Sequence, residues 1–164
     1  MPIDPFIKAE RIRAQAVPDL GTATWSNGIR AGNDILMSGM TAHPATRDAA
    51  EPLTTYEQTR VVLGKIRALV EAGGGSLANI YKLVVYVTDI ADKDEVGRAR
   101  REFFAEVAAN GGAYPCSTLV QVSALVFPEL RVEIEAFARL DIDLSAAGLA
   151  GGRQENQQHQ RAAL

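Results

Sequence analysis

Two carboxylates sit one residue apart in Val132-Glu133-Ile134-Glu135-Ala136. Side chains of a strand alternate between its faces, so Glu133 and Glu135 share one face while Val132, Ile134 and Ala136 share the other. A like charge nearby raises the pKa of one member of such a pair, and a raised carboxyl group suits proton transfer near neutral pH. Acids in the middle of a strand mark either a subunit interface or a wet cleft. Ser117 opens a second strand-like stretch, residues 117–125, but no histidine falls where the fold would bring it beside Ser117, so Ser117 is not a nucleophile. Cys116 is either a reactive thiol or, the reading preferred, a small half-buried strand residue. His43 lies in a loop, residues 41–52, either beside a cleft or, the reading preferred, as a surface histidine. Trp25 offers a flat face for stacking or simply fills a hollow.

The elements that must position these residues are legible in order. Residues 7–12 allow a short first strand, and residues 22–29 and 34–40 are apolar-rich, with Gly32-Asn33 between them suiting a hairpin turn. Thr54-x-x-Glu57 is a capping box, and Val62, Ile66, Leu69 and Val70 then recur at helical spacing until Gly73-Gly74-Gly75. Those glycines follow a helix, so they are a stop and not a phosphate loop. Residues 83–88 read as a β-branched strand. Asp92-x-x-Glu95 signals a second helix, with Val96, Ala99, Phe103 and Val107 on one face and Asn110-Gly111-Gly112 at its end. Residues 117–125 and 130–140 form the last strands, with Val120, Val122 and Ala124 expected to meet the helices. The order β-β-α-β-α-β-β, with an extra strand at the start, implies an α+β domain whose helices lie on one face of a mixed sheet. No helix is left to cover the face bearing Glu133, Glu135 and Phe137, so association is expected.

The 164 residues carry a net charge of −3, with 47% hydrophobic and 23% charged residues, which fits one globular domain. That balance gives no footprint for nucleic acid. No apolar run is long enough to span a membrane, the start lacks a secretory pattern, and a single cysteine suits a reducing, cytoplasmic setting. One cysteine and two histidines exclude a protein-only metal cluster, so no metal site is expected. We expect one domain over residues 1–144 and a polar extension, residues 145–164, that is mobile when taken alone.

Tyr114-Pro115-Cys116-Ser117-Thr118-Leu119-Val120 and the glutamate strand together resemble the C-terminal signature of the Rid superfamily, the YjgF-type reactive imine and enamine deaminases. Trp25-Ser26, Ser38-Gly39-Met40, Gln58, Val70-Glu71-Ala72-Gly73, Lys82, Val85-Tyr86-Val87, Asp89 and Phe103-Phe104 agree in family order, across roughly residues 17 to 140. The resemblance implies a chorismate-mutase-like fold and a homotrimer with a central barrel, helices outside and clefts between subunits. It also implies cofactor-free hydrolysis of an imine or enamine at its C–N bond. Glu133 matches the family glutamate that positions the attacking water. Trp25, Ser38, Gly39, Met40, His43, Ser117 and Thr118 fall at or beside the family's substrate pocket. The family arginine, two residues after the signature proline, is here Ser117; its aromatic, glutamine and asparagine positions hold Trp25, Met40 and Gly97. Losing the arginine removes a bidentate carboxylate clamp. Such departures resemble branches like 2-aminomuconate deaminase. The alternative implied is a trimeric small-molecule-binding or regulatory protein without catalysis.

Overall fold

The computed structural model describes residues 6–148. Six strands form one sheet: β1 (Ala9–Arg11), β2 (Gly28–Ala31), β3 (Asp34–Thr41), β4 (Ile80–Val87), β5 (Cys116–Gln121) and β6 (Val132–Arg139). The spatial order is β1-β2-β3-β6-β4-β5, antiparallel except for the parallel β4–β5 pair. Four α-helical segments accompany them: α1 (Ala45–Asp48), α2 (Thr55–Ala72), α3 (Lys93–Phe103) and α4 (Ala105–Ala108). This is the expected α+β fold with a mixed six-stranded sheet. Among the described residues no helix is long and apolar enough to cross a membrane.

The hairpin between β2 and β3 turns at Gly32-Asn33, with Ala31 opposite Asp34. Gly32 takes φ +61°, the left-handed region that glycine enters at no steric cost. The capping box forms as the sequence implies. Glu57 N–H donates to the Thr54 hydroxyl, and Thr54 N–H donates to the Glu57 carboxylate at 2.8 Å. Helix α2 then buries Val62, Leu63, Ile66, Leu69 and Val70 completely against the sheet. The sheet answers with Leu83, Val85 and Val87 of β4 and Val132, Ile134 and Ala136 of β6, all fully buried. Each large side chain so covered contributes about 1.5–3 kcal/mol.

Several elements differ from expectation. The stretch 22–29 is mostly loop, and β2 begins only at Gly28. Side chains hold that loop in place of a ladder: the Asn27 amide donates to Val17 O and to Asp19, and the Ser38 hydroxyl donates to Ser26 O. Asp92 makes no side-chain cap on α3. Its carboxylate accepts from the Thr55 hydroxyl, and Glu95 accepts from Tyr56 N–H at 2.7 Å, so both acids tie α3 to α2. Phe104, not Phe103, is the fully buried ring. Strand β5 stops at Gln121, and Val120 faces away from the helices, opposite Tyr86 and 42% exposed. Leu119 packs on the core instead. Of the expected polar extension, residues 149–164 lie outside the described residues.

Candidate active site

The site is organised by a β-bulge. On β3, Met37 lies opposite Ala136 and Met40 opposite Ile134, so three steps on β3 match two on β6. Ser38 and Gly39 together face Glu135, and the extra residue bends the strand. It also sends both Met37 and Met40 inward, although they are an odd number of residues apart. Met40 is 5% exposed and belongs to the core, so its side chain does not reach the uncovered face.

That uncovered face carries Glu133, Glu135 and Phe137 of β6, with Lys82, Val84 and Tyr86 beside them on β4. Glu133 stands opposite Tyr86 on one side and Thr41 on the other. Its carboxylate reaches across to Gly39: a methyl group there would lie 2.0 Å from Glu133 Oε1. Among the described residues no hydrogen-bond donor or cation within reach meets the Glu133 carboxylate. Partial burial, and secondarily the charge of Glu135, raise its pKa above the ordinary carboxylate range. Glu135 does have a partner, since the Tyr86 hydroxyl donates to Glu135 Oε1 at 3.2 Å. Burial first, and then Glu135, push the Tyr86 phenol upward. Tyr86 was named only within the matching strand and not as a site residue, although it alternates with Val84 and Lys82 on one face.

The other expected residues divide into groups. Ser38 and Trp25 adjoin the bulge: Ser38 N–H donates to Asn27 O and its hydroxyl to Ser26 O, while Trp25 is 53% exposed in the loop before β2. His43 lies two residues past Thr41, at the same end of the sheet, with its ring centroid 4.5 Å from that of Phe127. Its Nδ1 is buried and has no hydrogen-bond partner among the described residues. The Lys65 ammonium donates to Thr41 O at 2.8 Å and to His43 O, pinning this loop, and burial lowers its pKa.

Ser117 and Thr118 stand apart. They lie on β5, an edge strand, opposite Leu83 and Val84. Thr118 shares the uncovered face and accepts from the Lys82 ammonium at 2.7 Å. Ser117 points to the other face and is exposed. From Glu133 to Ser117 the register crosses two strand spacings and three residues, roughly 14 Å by standard sheet dimensions. One chain therefore does not bring them together. Cys116 is exposed and not half-buried, because it starts the edge strand.

Gln58 is a buried polar residue that the helical pattern did not single out. It is 1% exposed; its amide donates to Leu53 O and Glu129 O, and it accepts from Arg131 N–H at 2.9 Å. Every polar atom of this buried group is thereby satisfied, and the chain is locked two residues before Glu133. Two concavities of the single chain lie elsewhere: one of about 430 Å³ around Gln58, Thr88 and Arg131, and one of about 490 Å³ around Asn79, Asp141 and Asp143. Neither contains Glu133. Among the described residues no group of three or more His, Cys, Asp or Glu could hold a metal ion.

A bulged, six-stranded mixed sheet with this glutamate strand defines a class of protein. Residues 18–140 match the family described as Endoribonuclease L-PSP, and the chain belongs to that family. Among individual relatives, it is 32% identical over 112 residues to the 2-iminobutanoate/2-iminopropanoate deaminase of Escherichia coli, covering 68% of this chain and 83% of that protein. A Pseudomonas aeruginosa protein of unknown function superposes with a TM-score of 0.82 at 58% identity, covering 87% of this chain and 100% of that one. Escherichia coli TdcF, solved with bound serine, gives a TM-score of 0.68 at 30% identity over 79% of this chain and 98% of its own.

Proposed function

We propose that this protein hydrolyses a small imine or enamine acid, releasing ammonia, in a cleft between subunits of a homotrimer. The observation that carries the reading is the Glu133 carboxylate: half-buried, raised in pKa and without a donor among the described residues. Such a group is ready to hold a water. As that water adds to the imine carbon, Glu133 accepts one of its protons and passes it to the nitrogen. The carbinolamine then collapses to a carbonyl compound and ammonia. The kinship with an iminopropanoate deaminase and with a serine-bound protein supports a small amino-acid-like substrate.

Two features support assembly into the trimer that the resemblance implies. The face bearing Glu133 has no helix over it, and Ser117 with Thr118 lies too far from Glu133 within one chain to share its pocket. A neighbour's β5 edge would complete the cleft. Ser117 supplies one neutral hydrogen bond where a charged clamp would grip a carboxylate more strongly. With Trp25 exposed in the loop before β2 to offer a flat face, the pocket suits a planar, conjugated acid of the 2-aminomuconate type. A ribonuclease role, which the family's description names, fits poorly with a net charge of −3.

The missing arginine also favours a second reading, a trimeric small-molecule-binding or regulatory protein. Ammonia release from candidate imine and enamine acids separates the two. The deaminase reading expects turnover by the wild type and a loss of about 100-fold or more in Glu133→Gln. Binding without ammonia release from any of them would favour the second reading.

A further inference from the structure

Gly39 is a glycine that the backbone does not require. Among the described residues positive φ occurs at Gly32, Gly74, Gly111 and Asn110, and Gly39 is not one of them. An alanine could follow its chain path. What alanine could not do is leave Glu133 where it is. The three atoms nearest a Cβ at position 39 all belong to Glu133: Oε1 at 2.0 Å, Cδ at 2.9 Å and Cγ at 3.1 Å.

We infer that Gly39 is a positioning residue whose missing side chain is the seat of the Glu133 carboxylate. The seat lies on the bulge. Thr41, and not Gly39, is the direct cross-strand partner of Glu133, so the glutamate leans diagonally along β3 to occupy it. Gly39 lies in the same row as Glu135, whose own carboxylate is held on the β4 side by the Tyr86 hydroxyl. A glutamate pushed off Gly39 has two escapes: outward into solvent, or toward a like charge. Either removes the fixed height above β3 at which the carboxylate would hold its water. This inference rests on the reading of Glu133 as the water-holding group, but the seat itself is a packing statement that can be tested separately.

The test is Gly39→Ala in the full-length protein. The obstructing atoms are the far end of a flexible side chain, so the fold should survive with a thermal midpoint within about 3 °C of wild type. Ammonia release should fall about 100-fold with little change in KM, as a misplacement of about 1 Å can cause. The Glu133 carboxyl, followed by carbon-13 NMR, should shift its titration from that of wild type, downward if the displaced group turns to solvent and upward if it turns toward Glu135. In the Glu133→Gln background, Gly39→Ala should cost no further turnover. Unchanged titration and turnover in Gly39→Ala would overturn the inference, as would an equal added loss in the Glu133→Gln background. If Glu133→Gln alone keeps full turnover, the water-holding reading fails while the NMR titration still decides the seat. If Gly39→Ala does not fold, Glu133→Ala is added to empty the space: recovered folding supports the seat, and continued failure overturns it.

Discussion

On β6, Val132, Ile134, Ala136 and Ala138 are buried under the helices, while Glu133, Glu135, Phe137 and Arg139 between them stay half open. The same contrast runs across β3, where Ile35 is 1% exposed and Leu36 beside it is 47% exposed. The covered face is closed apolar packing that one chain completes by itself. The open face mixes apolar groups with charge, a surface that the proposed neighbouring subunits would finish. On the proposed reading, one strand serves stability on one side and chemistry on the other. Any residue added or lost in β6 would exchange the two sets.

The sharpest way to break this comparison is to truncate one residue on each side. Ile134→Ala should cost about 3 kcal/mol in chemical denaturation, because it leaves a cavity in a closed core, and the loss should not depend on protein concentration. Leu36→Ala should cost less, and its cost should grow or shrink with concentration, because what it loses is contact with another copy. Equal, concentration-independent losses would erase the distinction between the faces. A stable monomer in sedimentation at micromolar wild-type protein would erase it from the other side.

A smaller effect is expected on the outer surface of the helices, which belongs to neither face. Gly64 is exposed in mid-helix, and a Cβ built there meets nothing within 4 Å. Gly64→Ala should therefore stabilise by about 1 kcal/mol through helix propensity alone. A loss in thermal melts would mean that this surface, too, packs against something.

The smallest effect concerns pH. Glu133 holds its proton in the folded protein above the range where an unfolded glutamate, with a pKa of about 4.3, releases it. The folded state then binds more protons than the unfolded one, so this group's contribution to stability falls as pH rises through that window. Glu133→Gln removes the slope. Its thermal midpoint relative to wild type should be higher at about pH 7 than at about pH 4. The reverse sign would show that a neighbouring subunit supplies a cation to Glu133 in the assembly.

Most of this architecture was legible where a strand or helix is covered on one side only. The alternation in β6 and the helical spacing in α2 each name their buried set, because burial on one face imposes one period. Strand β5 was misread for the complementary reason. It is an edge, exposed on both faces for most of its length, so Val120 carries no signal of which way it points. The bulge at Ser38 and Gly39 was hidden as well, since a register shift is a property of two strands and not of one. That shift is why Met40, expected in the pocket, lies in the core. Asp92 and Glu95 look like a local cap, yet their partners Thr55 and Tyr56 lie on another helix, 37 and 39 residues away.

The strand order has a consequence for how the protein is made. Strand β6 is inserted between β3 and β4, which have no ladder to each other without it. On the ribosome, β3 and β4 are synthesised long before β6, and until it arrives both expose unpaired backbone and the apolar side chains of the future core. Helix α2 can form early, because its contacts are local, but the surface it packs on is complete only when β6 slots in. Folding of this chain is therefore a late, closing event governed by a long-range pairing, and the nascent half-sheet is its most aggregation-exposed stage.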